Sequence, residues 1–213
     1  MKQIKIGTAT LIHGDCEEFM KDLPDKSFDL AVVDPPYGLG DRLSDGGGKL
    51  KNTPMAALYR GSSKWDIKPD AVYFMELFRV SKNQIICGAN YFLENLPSSR
   101  GCIAWDKKQA MPTLSSWEFL WASFDRPAKT FYGSSTDLNR FHPTQKPVKL
   151  YEWIYSNYAK PGQTILDTHG GSMSSVIAAL NMGFEITCIE KDEDYFNAAV
   201  ERVIKSQQQQ KLF

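Results

Sequence analysis

Short apolar runs alternate with segments whose apolar residues recur at helical spacing, and this alternation spans most of the chain. Thr10 to Cys16 predicts a short strand that ends at the Gly14-Asp15 turn. Glu17 to Leu23 has helical spacing, with Phe19, Met20 and Leu23 apolar, and Pro24-Asp25 ends it. Phe28 to Val33 then reads as a buried strand, so a strand–helix–strand unit with short links predicts a parallel pair. Further along, residues 70–80 predict a helix and Gln84 to Gly88 a buried strand, with Asn90-Tyr91-Phe92 at its carboxyl edge. Cys102 to Asp106 repeats the strand pattern. Trp117 to Phe124 and Thr130 to Tyr132 predict two antiparallel strands joined by a turn around Asp125-Arg126-Pro127. In the last third, Pro147 opens a helix to about Tyr158 and Gln163 to Asp167 is a strand. Ser174 to Met182 is a small-residue helix, Phe184 to Glu190 a strand, and Asp192 to Ile204 a closing helix.

Two stretches break the pattern. Residues 38–68, with three consecutive glycines and few aliphatic residues, predict a long mobile loop. Gly48-Lys49 lies there, but the stretch lacks the spacing and the following helix of a phosphate-binding loop, so that chemistry is excluded. Residues 107–140 predict a short insert. The remainder, residues 1–206, predicts a single domain, and residues 207–213 a flexible, glutamine-rich tail.

Composition narrows the options. With 213 residues the chain can bury one sizeable core, and its apolar and charged fractions are those of an ordinary soluble domain. No apolar run is long enough for a membrane span, and Met1 to Lys5 lacks a signal-peptide core, so a cytoplasmic location is expected. Cys16, Cys87, Cys102 and Cys188 show no paired spacing, which predicts free thiols and neither disulfides nor a metal site. Net charge is zero, but its distribution is uneven. Residues 38–68 carry six basic against three acidic side chains, and residues 100–149 carry eight against four. Such a local excess is compatible with a polyanion-binding face, or simply with lysine-rich surface segments.

The chemistry centres on Asp34-Pro35-Pro36-Tyr37. Two prolines cannot continue a sheet, so the strand stops and delivers a carboxylate, stiff carbonyls and an aromatic ring to its carboxyl edge. Open α/β sheets bind their ligands at that edge. A planar amino group could donate to Asp34 and to a flanking carbonyl while its ring stacks on Tyr37. A second signal runs from Ile165 to Glu190: a strand, an Asp, a glycine-bearing turn, a helix and a strand ending in an acidic residue. That is half of a nucleotide-binding unit, in which Glu190 would accept from ribose hydroxyls. The dinucleotide fingerprint is absent, because Gly170-Gly171-Ser172-Met173 has the wrong glycine spacing.

Together with His142-Pro143-Thr144-Gln145-Lys146-Pro147 and Asp167-Thr168-His169-Gly170-Gly171-Ser172, these motifs resemble the amino-group DNA methyltransferases that use S-adenosylmethionine. Their order, catalytic motif first and cofactor loop last, resembles the family's permuted beta-type arrangement. The resemblance implies a Rossmann-like α/β fold, mostly parallel, with helices on both faces and a recognition segment between the motifs. It implies that Asp34 and the Pro35 carbonyl accept from the target amine, in a motif completed by Pro36, and that Tyr37 stacks on an extruded base. It further implies that Asp167, Gly170 and Ser172, with Gly171 and His169 in the same loop, line the methionine part of the cofactor, near Asp34. By the same resemblance Glu190 binds the ribose and Asp15 with Cys16 meets the adenine. His142, Thr144 and Lys146 would pack at the methionine end, with Lys146 or Thr144 meeting its carboxylate. One departure is plain: Thr168, His169 and Met173 stand where the family usually has Pro, Phe and Gly.

The implied reaction is methyl transfer to adenine N6 of flipped-out DNA, because Asp rather than Ser leads the motif, with cytosine N4 as the alternative. A DNA-binding module that keeps this fold without catalysis is the alternative of another class. Lys107, Lys108, Arg126, Lys129 and Arg140 are available for phosphates or bases. A short insert predicts a short site, or a homodimer in which a second subunit helps. Gln209 to Phe213 resembles the peptides that dock on bacterial sliding clamps, set against an ordinary frayed terminus.

Overall fold

The structure is a computed structural model and describes residues 1–40, 66–108, 115–135 and 140–210. Most of the expected 38–68 loop, parts of the 107–140 insert and Lys211 to Phe213 of the clamp-like tail therefore lie outside the described residues.

Among the described residues nine strands form one sheet: β1 (Lys2–Ile6), β2 (Ala9–His13), β3 (Phe28–Val33), β4 (Ser81–Cys87), β5 (Gly101–Asp106), β6 (Trp117–Ala122), β7 (Lys129–Tyr132), β8 (Thr164–Asp167) and β9 (Glu185–Glu190). Their spatial order is β1-β2-β9-β8-β3-β4-β6-β5-β7. The block from β2 to β4 is parallel throughout. It is the Rossmann-like, mostly parallel sheet the sequence predicted. Among the described residues five α-helices cover it: α1 (Cys16–Lys21), α2 (Ala71–Val80), α3 (Val148–Tyr158), α4 (Ser174–Asn181) and α5 (Glu193–Gln210). Leu30 and Val32 of β3 belong to the core under α3, α4 and α5, whereas Ala31 and Val33 belong to the core under α1 and α2. A strand covered on both faces needs apolar residues at every position, which is why β3 reads as a run rather than an alternation.

Helix starts follow local chemistry. The Asp15 carboxylate accepts from the backbone N–H of Glu17 (2.8 Å) and Glu18 (3.4 Å), and Asp70 does the same for Val72 (2.8 Å) and Tyr73 (3.3 Å). Each carboxylate satisfies donors that a helix cannot satisfy itself.

Three expectations need correction. Lys2–Ile6 is a strand the pattern did not predict: Lys2, Gln3 and Lys5 are exposed while Ile4 and Ile6 are half-buried against the core, and it is tied antiparallel to β2 at the sheet edge. β6 and β7 do not form a hairpin. β6 lies antiparallel between β4 and β5, and β7 pairs parallel with β5 on its outer side. Burial explains the choice. Leu120, Trp121 and Ala122 of β6 are buried and take a central position, while Lys129, Thr130 and Tyr132 of β7 are exposed, as an edge strand tolerates. Finally, α5 continues to Gln210, so residues 207–210 are helical rather than part of a loose tail. Glutamine is a good helix former, and a low-complexity run of it extends a helix already nucleated.

Candidate active site

The chain leaves β8 toward β9 on one side, and leaves β3 toward β4 on the other. A crevice opens where neighbouring strands diverge in this way. A cavity of about 960 Å³ occupies that edge, at the upper end of the range for small-molecule sites. It is lined by Asp15, Cys16, Asp34, Pro35, Pro36, Tyr37, His142, Thr144, Lys146, His169, Gly170, Gly171, Ser172 and Glu190. Thus every sequence-predicted site residue reaches one cavity except Asp167, which lies beneath its floor. There Asp167 accepts from Ser175 Oγ (2.5 Å) and from the His169 backbone N–H (3.1 Å). Burial pushes the Asp167 carboxyl up to about 7, against these two hydrogen bonds.

At the catalytic end, four charged side chains and one phenol form a closed set. Lys146 Nζ lies 2.5 Å from Asp34 Oδ2 and 3.1 Å from Glu118 Oε1. Tyr37 Oη lies 2.8 Å from Asp34 Oδ1 and 3.1 Å from Glu118 Oε1, sharing its single proton between them, and accepts from Lys146 Nζ at 3.1 Å. Lys107 closes the set at 2.9 Å from Glu118 Oε2. Burial pushes the Asp34 carboxyl above its ordinary value, with Lys146 pulling it back and Glu118 adding to the rise. Burial acts on Glu118 too, but Lys146 and Lys107 outweigh it and hold that carboxyl below its ordinary value. Lys146 stays protonated, because the two carboxylates overcome its burial. Asp34, Cys87 and Glu118 offer ligand atoms within 4.8 Å of one another, the one such group among the described residues. The Lys146 ammonium already supplies the positive charge there.

Tyr37 is backed on one face by Tyr91, stacked at 4.7 Å with a 16° interplanar angle, and edged by Phe92. Tyr91 does not line the cavity, whereas Tyr37 does. The loop after Tyr37 is also tied down, since buried Asp66 accepts from the N–H groups of Gly38 (3.0 Å) and Gly40 (2.8 Å).

At the other end, the turn after β8 is built for close approach. A Cβ on Gly170 would stand 2.7 Å from Cys188 Sγ. Gly171, at φ +48°, donates its N–H to Glu190 Oε2 (2.7 Å), and Glu190 Oε1 accepts from Asp192 N–H (2.8 Å). Met173 precedes α4 in the left-handed region at φ 54° and is fully buried. His169 Nδ1 lies 2.9 Å from Thr168 Oγ1 and 3.5 Å from Tyr73 Oη, and Nε2 lies 4.0 Å from Cys16 Sγ. Burial lowers His169 to about 4 and raises the Cys16 thiol to about 12, so both are neutral. His142 packs on Tyr195, with ring centroids 4.3 Å apart, and burial lowers it to about 4.

Several expected roles change. Lys146 is committed to Asp34 and Glu118, not to the far end of the cavity. Thr144 Oγ1 faces His142 Nδ1 at 3.3 Å. Arg140 donates to the carbonyls of Ser135, Pro143 and Gln145 and braces its own loop. Arg126 and Lys129 bond Asn157 at the opposite edge of the sheet, where β3, β4 and β8 begin. Lys107 is spent on Glu118, which leaves Lys108, over the Tyr132 ring at 5.9 Å, from the five basic residues expected to meet DNA. The sequence reading missed Glu118: it sits on a strand whose position in the sheet the alternation did not reveal.

A family model described as DNA methylase matches residues 98–201. The putative methylase YubD of Escherichia coli K12 is 27% identical over 206 residues, covering 90% of this chain and 88% of its own length. The type II methyltransferase M.HinfI of Haemophilus influenzae is 25% identical, covering 91% of this chain and 68% of its own. Over these spans the chain is similar to the amino-group DNA methyltransferases. Its fold agrees with solved structures of the group. A putative DNA modification methylase from Thermus thermophilus, complexed with S-adenosyl-L-methionine, superposes with a TM-score of 0.60 at 17% identity, covering 92% of this chain and 95% of that one. The cytosine-N4-specific PvuII methyltransferase gives 0.61 at 13% identity, covering 93% and 90%. In this chain the Asp34 motif precedes the Gly170 loop in sequence, yet β3 and β8 are neighbours in the sheet.

Proposed function

We propose that this chain is an S-adenosylmethionine-dependent DNA methyltransferase that acts on adenine N6 of a flipped-out base. The observation that carries this reading is one continuous cavity with an amine-accepting end, Asp34 to Tyr37, and a glycine-lined end, Gly170 to Glu190. The glycine-lined end fits the cofactor. Gly170 leaves no room for a side chain of its own, Glu190 presents an acidic group beside Gly171, and neutral His169 and Cys16 place no cation against a sulfonium. When bound, S-adenosylmethionine supplies an electrophilic methyl group on a positively charged sulfur.

The chain's own residues do the rest. The lone pair of a nucleobase amine is delocalised into its ring, so the amine is a weak nucleophile. Asp34 and the Pro35 carbonyl accept hydrogen bonds from its two protons, draw the nitrogen toward tetrahedral geometry and localise that lone pair. Tyr37, braced by Tyr91 and lining the cavity, is the ring on which the base would stack. Fixing the amine in line with the methyl group supplies much of the acceleration by positioning. A paired base cannot reach this depth, so it leaves the duplex at a cost of a few kcal/mol, part of which stacking on Tyr37 offsets.

Adenine is supported by the Asp that leads the motif, and cytosine N4 is the second reading because either amine fits the same acceptors. The test is transfer of labelled methyl groups to unmethylated bacterial DNA, followed by nucleoside analysis. N6-methyladenine supports the proposal, and N4-methylcytosine replaces the base while keeping the mechanism. Absence of both transfer and cofactor binding overturns it in favour of a DNA-binding module. Asp34→Ala is expected to abolish transfer and leave cofactor binding measurable.

A further inference from the structure

Asp34 raises a difficulty that its surroundings resolve. An acceptor for the target amine must keep its negative charge and its lone pairs, yet the Lys146 ammonium lies 2.5 Å from Asp34 Oδ2. A cation so close, used by Asp34 alone, would cancel the charge that attracts the amine as positive charge develops on its nitrogen. Lys146 is not used by Asp34 alone. Its ammonium also lies 3.1 Å from Glu118 Oε1, and Tyr37 Oη stands between the same two carboxylates. The Glu118 side chain is only 10% exposed and, unlike Asp34, does not line the cavity. Its second oxygen is held by Lys107.

We propose that Glu118 is a positioning residue: by sharing Lys146 and Tyr37 with Asp34, it leaves Asp34 ionised but still able to accept from the amine. This inference rests on the proposed methyl-transfer reading. It assigns Lys146 the opposite task, keeping Asp34 deprotonated in a buried position. The remaining groups that face Asp34 are Tyr37 on its own loop, Cys87 from β4, Tyr73 from α2, Tyr151 from α3 and Asp167 from β8. Burial holds the thiol and the phenols neutral, and Asp167, pushed up to about 7, adds a repulsion common to wild type and variants, so the charges that the variants change at Asp34 are Lys146 and Glu118.

The two neighbours therefore push Asp34 in opposite directions, which a scaffolding role would not produce. In Glu118→Gln the repulsion between carboxylates is lost and Lys146 turns wholly to Asp34. The acid limb of the kcat profile should move to lower pH, kcat should fall on the order of tenfold, and cofactor affinity should stay unchanged. In Lys146→Met the acid limb should move to higher pH. The double variant, which leaves no unpaired Glu118 should the single one fail to fold, should also titrate above wild type, because the lost cation is the closer charge. Carboxyl-carbon NMR of Asp34 in the substrate-free protein reads the same midpoints without turnover. Opposite shifts in the two single variants, or a downward shift in Glu118→Gln with an upward one in the double variant, support the inference. Unmoved midpoints, or shifts of one sign in all variants, overturn it. An inactive wild type would sink the methyl-transfer reading, while the NMR titration would still decide how the charge is shared.

Discussion

Gly88→Ala is a small change with a large expected consequence. Gly88 follows β4 at φ +62°, and a Cβ there would stand 2.3 Å from Cε1 and Cζ of Tyr37 and 2.6 Å from its hydroxyl. The left-handed backbone alone costs a non-glycine residue about 1–2 kcal/mol. The overlap adds to this, because the ring has nowhere to retreat: Tyr91 is stacked on it at 4.7 Å and Phe92 meets its edge. Tilting the ring moves the hydroxyl away from Asp34 and Glu118, and a hydrogen bond to a charged group is worth about 1.5–3 kcal/mol. The total expected loss of stability is therefore about 3–5 kcal/mol. A double-mutant cycle with Tyr37→Ala, read by urea unfolding, separates the two contributions. In the Tyr37→Ala background only the backbone cost of about 1–2 kcal/mol should remain, giving a coupling of about 2–3 kcal/mol. Equal costs in both backgrounds would refute the argument that Gly88 exists to admit Tyr37. Gly88 does not line the cavity, so cofactor affinity should survive while methyl transfer falls.

His142 and His169 are held near 4 by burial, below the ordinary 6.5. The folded state then binds fewer protons than the unfolded chain between these values. Stability is full above pH 6.5 and lost as pH falls toward 4, by about 3 kcal/mol per histidine. Urea titrations between pH 7 and 4.5 should show a shallower acid loss in His169→Phe than in wild type, and identical slopes would contradict the assignment. Asp167, pushed up to about 7, has the opposite sign: the folded state binds more protons between 3.8 and 7, so its ionisation reduces stability as pH rises through that window. Asp167→Asn should flatten that fall, measured by the same titration. Met173→Gly relieves a left-handed backbone worth about 1–2 kcal/mol but empties a fully buried position worth about 2–5 kcal/mol, so net destabilisation is expected. A gain in melting temperature would show that backbone strain dominates there.

The parallel half of the sheet was legible because its strands are buried on both faces and its helices carry their own punctuation, such as Asp70 and Pro147. The Asp34 motif alone reads as a strand ending in a Pro-Pro turn, and it stood out because the His142 and Asp167 motifs follow it in order. Partner choice among β5, β6 and β7 was not, since alternation fixes which face of a strand is buried but not its neighbours. That gap hid Glu118, which reads as an ordinary polar residue until β6 is placed beside β4. Lys146 was found but given the wrong partner, because its motif places it near the cavity without saying which end it faces. His169 and Met173 looked like defects of a glycine loop. The structure accommodates them with a neutral imidazole against Tyr73 and Thr168 and a left-handed methionine sealed in the core.

The strand order also governs how the molecule is made. β2 pairs with β9 through Ala9↔Ile186, and β3 pairs with β8 through Leu30↔Ile165. A ribosome therefore releases β2 and β3 long before β9 and β8, the strands that join them into one sheet, exist. Until then β1–β2 and β3–β4 are separate pairs, and the joined sheet that shields Leu11 and Leu30 in the finished protein is incomplete. Such distant pairing slows folding and leaves apolar strands open to capture by chaperones or by other chains. It also means that a prematurely terminated chain carries Asp34 and Tyr37 but no glycine loop beside them. The proposed amine acceptor and the proposed methyl-donor site come together only once nearly the whole polypeptide has emerged.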